Sequence, residues 1–166
     1  MEVYKMLPEG TLAEIINNQI FMSPSLLSKH QKLLNKINNK LYNFLESSGR
    51  GEVFTAPLDV YLDETRNAVQ PDIIVVLKEN QGIINEHGHI HGTPDLLVEV
   101  LSPSNKEYDL IKKKELYEHF GVMEYWIVDP DTHLAIIYAL VNGKYERTGE
   151  DRGFIVSRLL DTKIEF

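Results

Sequence analysis

Apolar residues recur every three or four positions in two segments of the chain, which is the spacing of a helix that buries one face. The first segment, LLSKHQKLLNKINNKLYNFL, follows Ser23-Pro24-Ser25, residues that suit a helix start. The second covers residues 106–120 and is followed by Gly121, a residue typical of helix C-terminal caps. We therefore predict two helices at these places.

Shorter runs rich in β-branched and aromatic residues predict strands. A hairpin is predicted in LAEIINNQIFM, turning at Asn17-Asn18, and a C-terminal meander in LAIIYALV and KYERTG, turning at Asn142-Gly143. Between them lie the predicted strands EVFTAP, DVYLD, QPDIIVVL, DLLVEVL and EYWIVDP, with a polar connection over residues 78–92. This order predicts one α/β domain, residues 1–166, with a mixed central sheet flanked by the two helices.

Acidic residues stand in two of the apolar strands. Pro71-Asp72 opens one of them, and Pro94-Asp95 opens the run that contains Glu99. Asp95 and Glu99 face the same side of a regular strand but lie about 13 Å apart, too far to bind one ion together. We therefore expect Glu99 to pair with Asp72 on the neighbouring strand. Two simpler interpretations stay open: a solvent-facing strand edge for Glu99, and turn chemistry for the Pro-Asp pairs.

A lysine falls within the apolar face of the second helix. At 100° per residue, Lys113 lies at the centre of the stripe formed by Leu110, Leu116, Tyr117 and Phe120. A lysine that points at the sheet needs a negative partner, and Glu99 on the preceding strand is the expected one. The alternative is a side chain that extends along the helix to solvent.

The first helix combines a buried histidine with a lysine-bearing face. His30 falls in the middle of its apolar face, either as a core histidine or as a hydrogen-bond donor to carboxylates. Lys29, Lys32, Lys36 and Lys40 occupy the opposite face. They could contact a phosphate backbone, although a face opposite the core is normally just solvated.

Three further histidines, His87, His89 and His91, alternate in the polar connection. Such alternation can present imidazoles to a zinc ion. No cysteine or further carboxylate is spaced to complete a tetrahedral set, so incidental histidines in a loop are the preferred interpretation.

Charge is distributed unevenly along the chain, whose net charge is -8. Residues 1–50 carry six basic and four acidic residues, whereas residues 51–166 carry 11 and 21. This balance argues against binding nucleic acid by electrostatics alone, but clustered carboxylates can recruit a divalent cation.

The absence of cysteine, of a signal peptide and of an apolar run of about 20 residues leads us to expect a cytoplasmic protein without membrane contact.

Several segments together resemble the Uma2 family of restriction endonuclease-like proteins. They include PEGTLAEIINNQIFMSPS, QPDIIVV, GTPDLLVEVLSPSN and GVMEYWIVDP, together with His30 and with Asp109, Lys113 and Tyr117 at four-residue intervals. That family is similar in fold to the PD-(D/E)XK nuclease superfamily. The resemblance therefore implies a restriction-endonuclease-like core and a nuclease that depends on Mg²⁺ or Mn²⁺ and acts on nucleic acid, in the first place DNA.

The resemblance also implies roles for individual residues. Asp72 and Glu99 would bind the metal ion together with the backbone carbonyl of Val100, and Lys113 would assist the attack of water. In the superfamily pattern the lysine stands two residues after the glutamate, where this chain has Leu101, so Lys113 would take that role from the following helix.

Asp95, His30 and Tyr117 are candidates for supporting roles, Asp95 by binding a second ion, holding a water or capping the loop. On this basis Lys113→Ala should abolish cleavage and leave folding intact.

Two other functions stay open. A catalytically inactive nuclease-fold protein could act as a binding or assembly module. A carboxylate-pair hydrolase such as a glycosidase would need an open sugar cleft, and a lysine between the carboxylates suits phosphate better than sugar. The residues do not distinguish DNA from RNA. A homodimer is a further expectation, suggested by the exposed edges of the C-terminal meander and by the need of a small domain to cut two strands.

Overall fold

The protein is built around a six-stranded mixed sheet. The computed structural model describes residues 1–8, 10–23, 26–103 and 109–166, with the side chains of residues 109 and 110 excepted. The strands of this sheet, in spatial order, are β11 (Lys144–Arg152), β10 (Leu134–Val141), β9 (Glu124–Val128), β8 (Leu96–Val100), β6 (Ile73–Leu77) and β3 (Gly51–Thr55). Neighbouring strands are antiparallel except β8 and β9, which run parallel.

A second, smaller sheet of five strands contains the N-terminal hairpin. Its order is β2 (Gln19–Met22), β1 (Ala13–Ile16), β5 (Ala68–Val69), β4 (Val60–Tyr61) and β7 (Ile90–His91). A separate hairpin is formed by β12 (Phe154–Ser157) and β13 (Thr162–Glu165).

Helices cover both faces of the six-stranded sheet. The long helix α2 (Ser28–Ser48) buries Leu34, Ile37 and Leu41 against one face, where it meets Ile73 and Val75 of β6. Side chains of a strand alternate between faces, so the intervening residues of β6 enter the opposite layer. That layer contains the helix α3 (Lys114–Phe120) and residues of the five-stranded sheet. No described helix combines the length and the apolarity that a membrane span requires.

The elements predicted from the sequence are largely present, with differences at their ends. The first helix, the Asn17-Asn18 hairpin and the Asn142-Gly143 hairpin are confirmed. The second helix is described from a π-helical turn, Asp109–Lys113, which leads into α3. Its predicted residues 106–108 and the side chain of residue 110 lie outside the described part. Gly121 does end the helix, with φ of 82°, a left-handed conformation that glycine adopts without strain.

Besides the two-residue strand β5, three features were not predicted. The four-residue helix α1 (Glu2–Lys5) precedes the first hairpin, and the β12–β13 hairpin follows the meander that was expected to end the chain. The polar connection after β6 contains a 3₁₀ helix, Lys78–Ile83, and the strand β7. All three are short, and segments of this length carry too few residues for a periodic pattern to show.

Candidate active site

The pairing of β6 with β8 sets two carboxylates side by side. Ile73 pairs with Val98 and Ile74 with Leu97. Continued by one residue, this antiparallel register places Asp72 opposite Glu99. Side chains directly opposite each other in such a pair share a face of the sheet and have Cβ atoms about 4.5–5.5 Å apart. The expected pairing of Asp72 with Glu99 across neighbouring strands therefore agrees with the register.

Asp72 is held by donors from two other elements. Its Oδ2 lies 2.8 Å from the backbone nitrogen of Val100, which donates a hydrogen bond, and 3.1 Å from Nε2 of His30. His30 is buried in the first turn of α2, so the start of this helix is fixed to the start of β6. The interpretation of His30 as a hydrogen-bonding partner of carboxylates is the one that the structure supports.

Glu99 is held by the helical segment that follows its strand. Its Oε1 accepts hydrogen bonds from Nζ of Lys113 at 2.8 Å and from the hydroxyl of Tyr117 at 2.9 Å. Lys113 and Tyr117 are one helical turn apart, and all three side chains are buried. Glu99 is therefore not on a solvent-facing edge, and Lys113 does not extend to solvent.

Burial raises the pKa of the Tyr117 hydroxyl well above its ordinary value, and the nearby carboxylates of Glu99 and Glu14 raise it further. A phenol with a raised pKa keeps its proton at neutral pH. Tyr117 therefore remains a hydrogen-bond donor to Glu99 and fixes the orientation of that carboxylate.

A third carboxylate, Glu14, was not identified from the sequence. It belongs to β1 of the smaller sheet, is 4% exposed, and its Oε1 lies 3.0 Å from Nζ of Lys113. The same oxygen accepts a 2.8 Å hydrogen bond from the backbone nitrogen of Gln70. The signal in the sequence was the same as for Glu99: a glutamate inside an otherwise apolar strand, LAEII.

The site is poor in positive charge. Among the described residues, the buried carboxylates of Glu14 and Glu99 contact the buried ammonium of Lys113, and the buried carboxylate of Asp72 lies opposite Glu99, so that three formal negative charges accompany one positive charge. Buried charge of this size is costly unless a cation compensates for it.

A small cavity of about 50 Å³ lies between these groups and is lined in part by Asp72, Glu99, Val100 and Lys113. Since a water molecule occupies roughly 30 Å³ in the liquid, the cavity is of the size of an ion or of one or two waters. Both described hydrogen bonds to Asp72 use Oδ2, so Oδ1 is the oxygen that no described donor engages. Carboxylate oxygens suit Mg²⁺, which commonly binds to one or two of them and keeps several waters. The residues present therefore fit such an ion.

Asp95 lies at the other end of β8 and does not join this cluster. Its Oδ2 accepts hydrogen bonds from the backbone nitrogen of Leu77, at 2.7 Å, and from the side chain of Asn80, at 3.1 Å. Of the three roles considered for Asp95, capping of the loop after β6 is the one that these contacts support.

The histidines of the connection after β6 form no metal-binding group within the described residues, although the rings of His89 and His91 lie 6.5 Å apart, both against Tyr61. His91 stacks on Tyr61, with ring centroids 4.7 Å apart, and its Nδ1 lies 2.6 Å from a carboxylate oxygen of Glu64. His87 is exposed beside Glu86. Over the described residues, no three His, Asp or Glu side chains group as a metal-binding set.

Solved structures of other proteins resemble this fold. A putative nuclease of the DUF820 family from Anabaena variabilis superposes with a TM-score of 0.76 at 20% identity, over 96% of this chain and 89% of its own. The type IIG restriction endonuclease BpuSI matches with a TM-score of only 0.42 at 15% identity, over 78% of this chain and 14% of its own. The predicted restriction-endonuclease-like α/β fold is confirmed by the first of these similarities.

Comparison with the curated proteins finds no match to this sequence. The family model of Uma2, described as putative restriction endonucleases, matches residues 1–162. This match spans nearly the whole chain and includes every residue of the candidate site. The protein therefore belongs to the Uma2 family.

Proposed function

We propose that the protein is a nuclease that hydrolyses phosphodiester bonds of nucleic acid, in the first place DNA, with a divalent cation such as Mg²⁺ held by Asp72 and Glu99. The observation that carries this proposal is the group of buried carboxylates, with Asp72 opposite Glu99 and with Glu99 and Glu14 on Lys113, beside a cavity of about 50 Å³. The net charge of this cluster favours a dication, and a bound dication in turn favours an anionic phosphate.

Val100 contributes a further oxygen to this proposal. Its backbone N–H donates to Asp72, and the N–H and C=O groups of one strand residue point to the same side. The Val100 carbonyl is therefore directed toward the edge of β8 at which Asp72 lies. It would complete a set of three protein oxygens, and waters and a substrate phosphate would supply the rest.

The cation and the residues around it would have different roles in the reaction. When bound, the cation offsets the charge of the phosphate and lowers the pKa of a bound water. The ammonium of Lys113, fixed between Glu14 and Glu99, orients the attacking water or donates to a phosphate oxygen. The hydroxyl of Tyr117 keeps Glu99 oriented, and His30 does the same for Asp72.

A cleavage assay tests the proposal. Labelled DNA and RNA substrates are incubated with the wild-type protein in Mg²⁺, in Mn²⁺ and in EDTA, and with the Asp72→Ala variant. The expected result is cleavage that requires a divalent cation and is lost in Asp72→Ala. Asp95→Ala is the matched control, since this carboxylate lies at the other end of β8, and it should retain activity.

Two outcomes would contradict the proposal. Cleavage that persists in Asp72→Ala would exclude the assigned metal site. Binding of nucleic acid without cleavage in either metal would favour the second candidate, an inactive nuclease-fold protein that acts as a binding module. The glycosidase alternative has less support, because a lysine between two carboxylates suits a phosphate better than a sugar.

A further inference from the structure

The solvent-facing side of α2 carries lysines and almost no acidic residues. Lys29, Lys32, Lys36 and Lys40 are all exposed, and at 3.6 residues per turn they fall within an arc of about 80°. The first carboxylate of the helix is Glu46, in its last turn. In a chain with a net charge of -8, a helix whose exposed side carries four lysines and only one carboxylate is unusual. We call the surface formed by the four lysines the lysine face.

The two central lysines of this face are not neutralised by the rest of the described structure. Lys29 pairs with Asp131, with 2.5 Å between Nζ and Oδ1. The pKa of the Glu165 carboxyl is lowered mainly by its hydrogen bond with Lys163 and, to a smaller extent, by the charge of Lys40. Lys32 and Lys36, in contrast, form no ion pair with any carboxylate of the described residues. Their charge is therefore available to a partner.

The lysine face points away from the candidate active site, because its lysines lie about 80–160° around α2 from His30, the buried residue that contacts Asp72. His30, in the first turn of α2, contacts Asp72. At a rise of 1.5 Å per residue, Lys32 and Lys36 lie about 3 Å and about 9 Å further along the helix axis than His30. The nine residues from Lys32 to Lys40 span about 12 Å, which corresponds to three or four phosphates of one strand at roughly 3.4 Å each.

We propose that the lysine face binds the phosphate backbone of the nucleic acid substrate, at phosphates away from the scissile one. This inference rests on the proposed function and adds the surface along which the substrate lies. An anionic polymer fits the face better than a protein partner, because the face has few apolar side chains and repeated positive charges at intervals of one helical turn. Lys32 and Lys36 make the central contacts.

The salt dependence of binding tests the inference without cleavage. A fluorescein-labelled DNA duplex is titrated with protein in EDTA, and anisotropy gives the binding constant over a series of KCl concentrations. The test variant is Lys32→Gln/Lys36→Gln. The matched control is Arg66→Gln/Lys78→Gln, which removes the same charge from exposed basic residues outside α2 that form no ion pair with the described residues.

The slope of log K against log salt should become shallower by about 1.8 in the Lys32→Gln/Lys36→Gln variant, because each lost phosphate contact contributes about 0.9. The control should keep the wild-type slope. An unchanged slope in the test variant, an equal change in the control, or wild-type protein that does not bind the duplex would overturn the inference.

Cleavage in Mg²⁺ is measured on the same proteins, which separates the two proposals. A shallower slope without any cleavage by the wild type would support the lysine face and contradict the nuclease function. Normal cleavage with an unchanged slope would support the nuclease function and contradict the role of the lysine face.

Discussion

Removing the ammonium of Lys113 should destabilise the fold as well as abolish cleavage. Lys113 is 5% exposed and lies 2.8 Å from Glu99 and 3.0 Å from Glu14. Without it, two buried carboxylates lose the positive charge between them. Breaking a buried ion pair by removal of one partner costs about 3–5 kcal/mol. The structure thus changes the expectation from the sequence, which was that Lys113→Ala would leave folding intact.

The loss is a large part of the stability of a typical domain, about 5–15 kcal/mol. Lys113→Met is the better substitution, because methionine fills most of the same volume and creates little cavity. For a chain of this length, each kcal/mol lowers the melting temperature by about 2–4 °C, so we expect a decrease of about 6–20 °C by circular dichroism. The measurement is made in EDTA, so that bound cations do not compensate for the lost charge.

The double variant Glu14→Gln/Lys113→Met provides the control. It removes the charge of one of the two carboxylates that Lys113 contacts, while the Gln side chain can still accept the hydrogen bond from the backbone of Gln70. The double variant should therefore melt at a higher temperature than Lys113→Met and remain inactive. If Lys113→Met melts like the wild type, or if Glu14→Gln brings no recovery, the reasoning about a lysine between two carboxylates is refuted.

Three further predictions concern the neighbouring residues. Asp72→Asn should fold but lose the increase in melting temperature that Mg²⁺ gives the wild type, which at a hundredfold excess over Kd is worth about 2.7 kcal/mol. Asp95→Ala should cost about 1–3 kcal/mol, because Leu77 loses its acceptor, and should keep the full Mg²⁺ effect in the same melting experiment. The raised pKa of Tyr117 means that the unfolded chain releases this proton near pH 10 while the folded one retains it, so stability falls as the pH rises above 10. In urea unfolding, Tyr117→Phe should reduce that decline by up to about 1.4 kcal/mol per pH unit.

The long elements and the central pair of carboxylates could be predicted because each leaves a periodic signal. The helical spacing of apolar residues in α2 and the alternation in β8 assign faces to His30 and Glu99 without knowledge of the fold. Lys113 could be assigned in the same way, since a charged residue in the middle of an apolar stripe needs a partner.

Glu14 could not be placed, because its contact with Lys113 depends on how the smaller sheet packs against the larger one. No pattern within one segment of the sequence predicts the distance between β1 and Lys113. The role of Asp95 was left open for a similar reason, since its partners Leu77 and Asn80 become its neighbours only when the connection after β6 folds back. Contacts between elements adjacent in the sequence, such as Glu99 with Lys113, could therefore be predicted, whereas the contact of Glu14 with Lys113, 99 residues apart, could not.

The contact of Asp95 with Leu77 has a consequence for how the chain can vary. It closes the connection between β6 and β8 at the end of these strands that is remote from Asp72 and Glu99. Residues inserted near the exposed His87 would lengthen this connection without altering the register that sets the two carboxylates opposite each other. The tip of the connection is therefore a suitable position for a tag, a fluorophore or a fused domain in a protein that is meant to keep its active site.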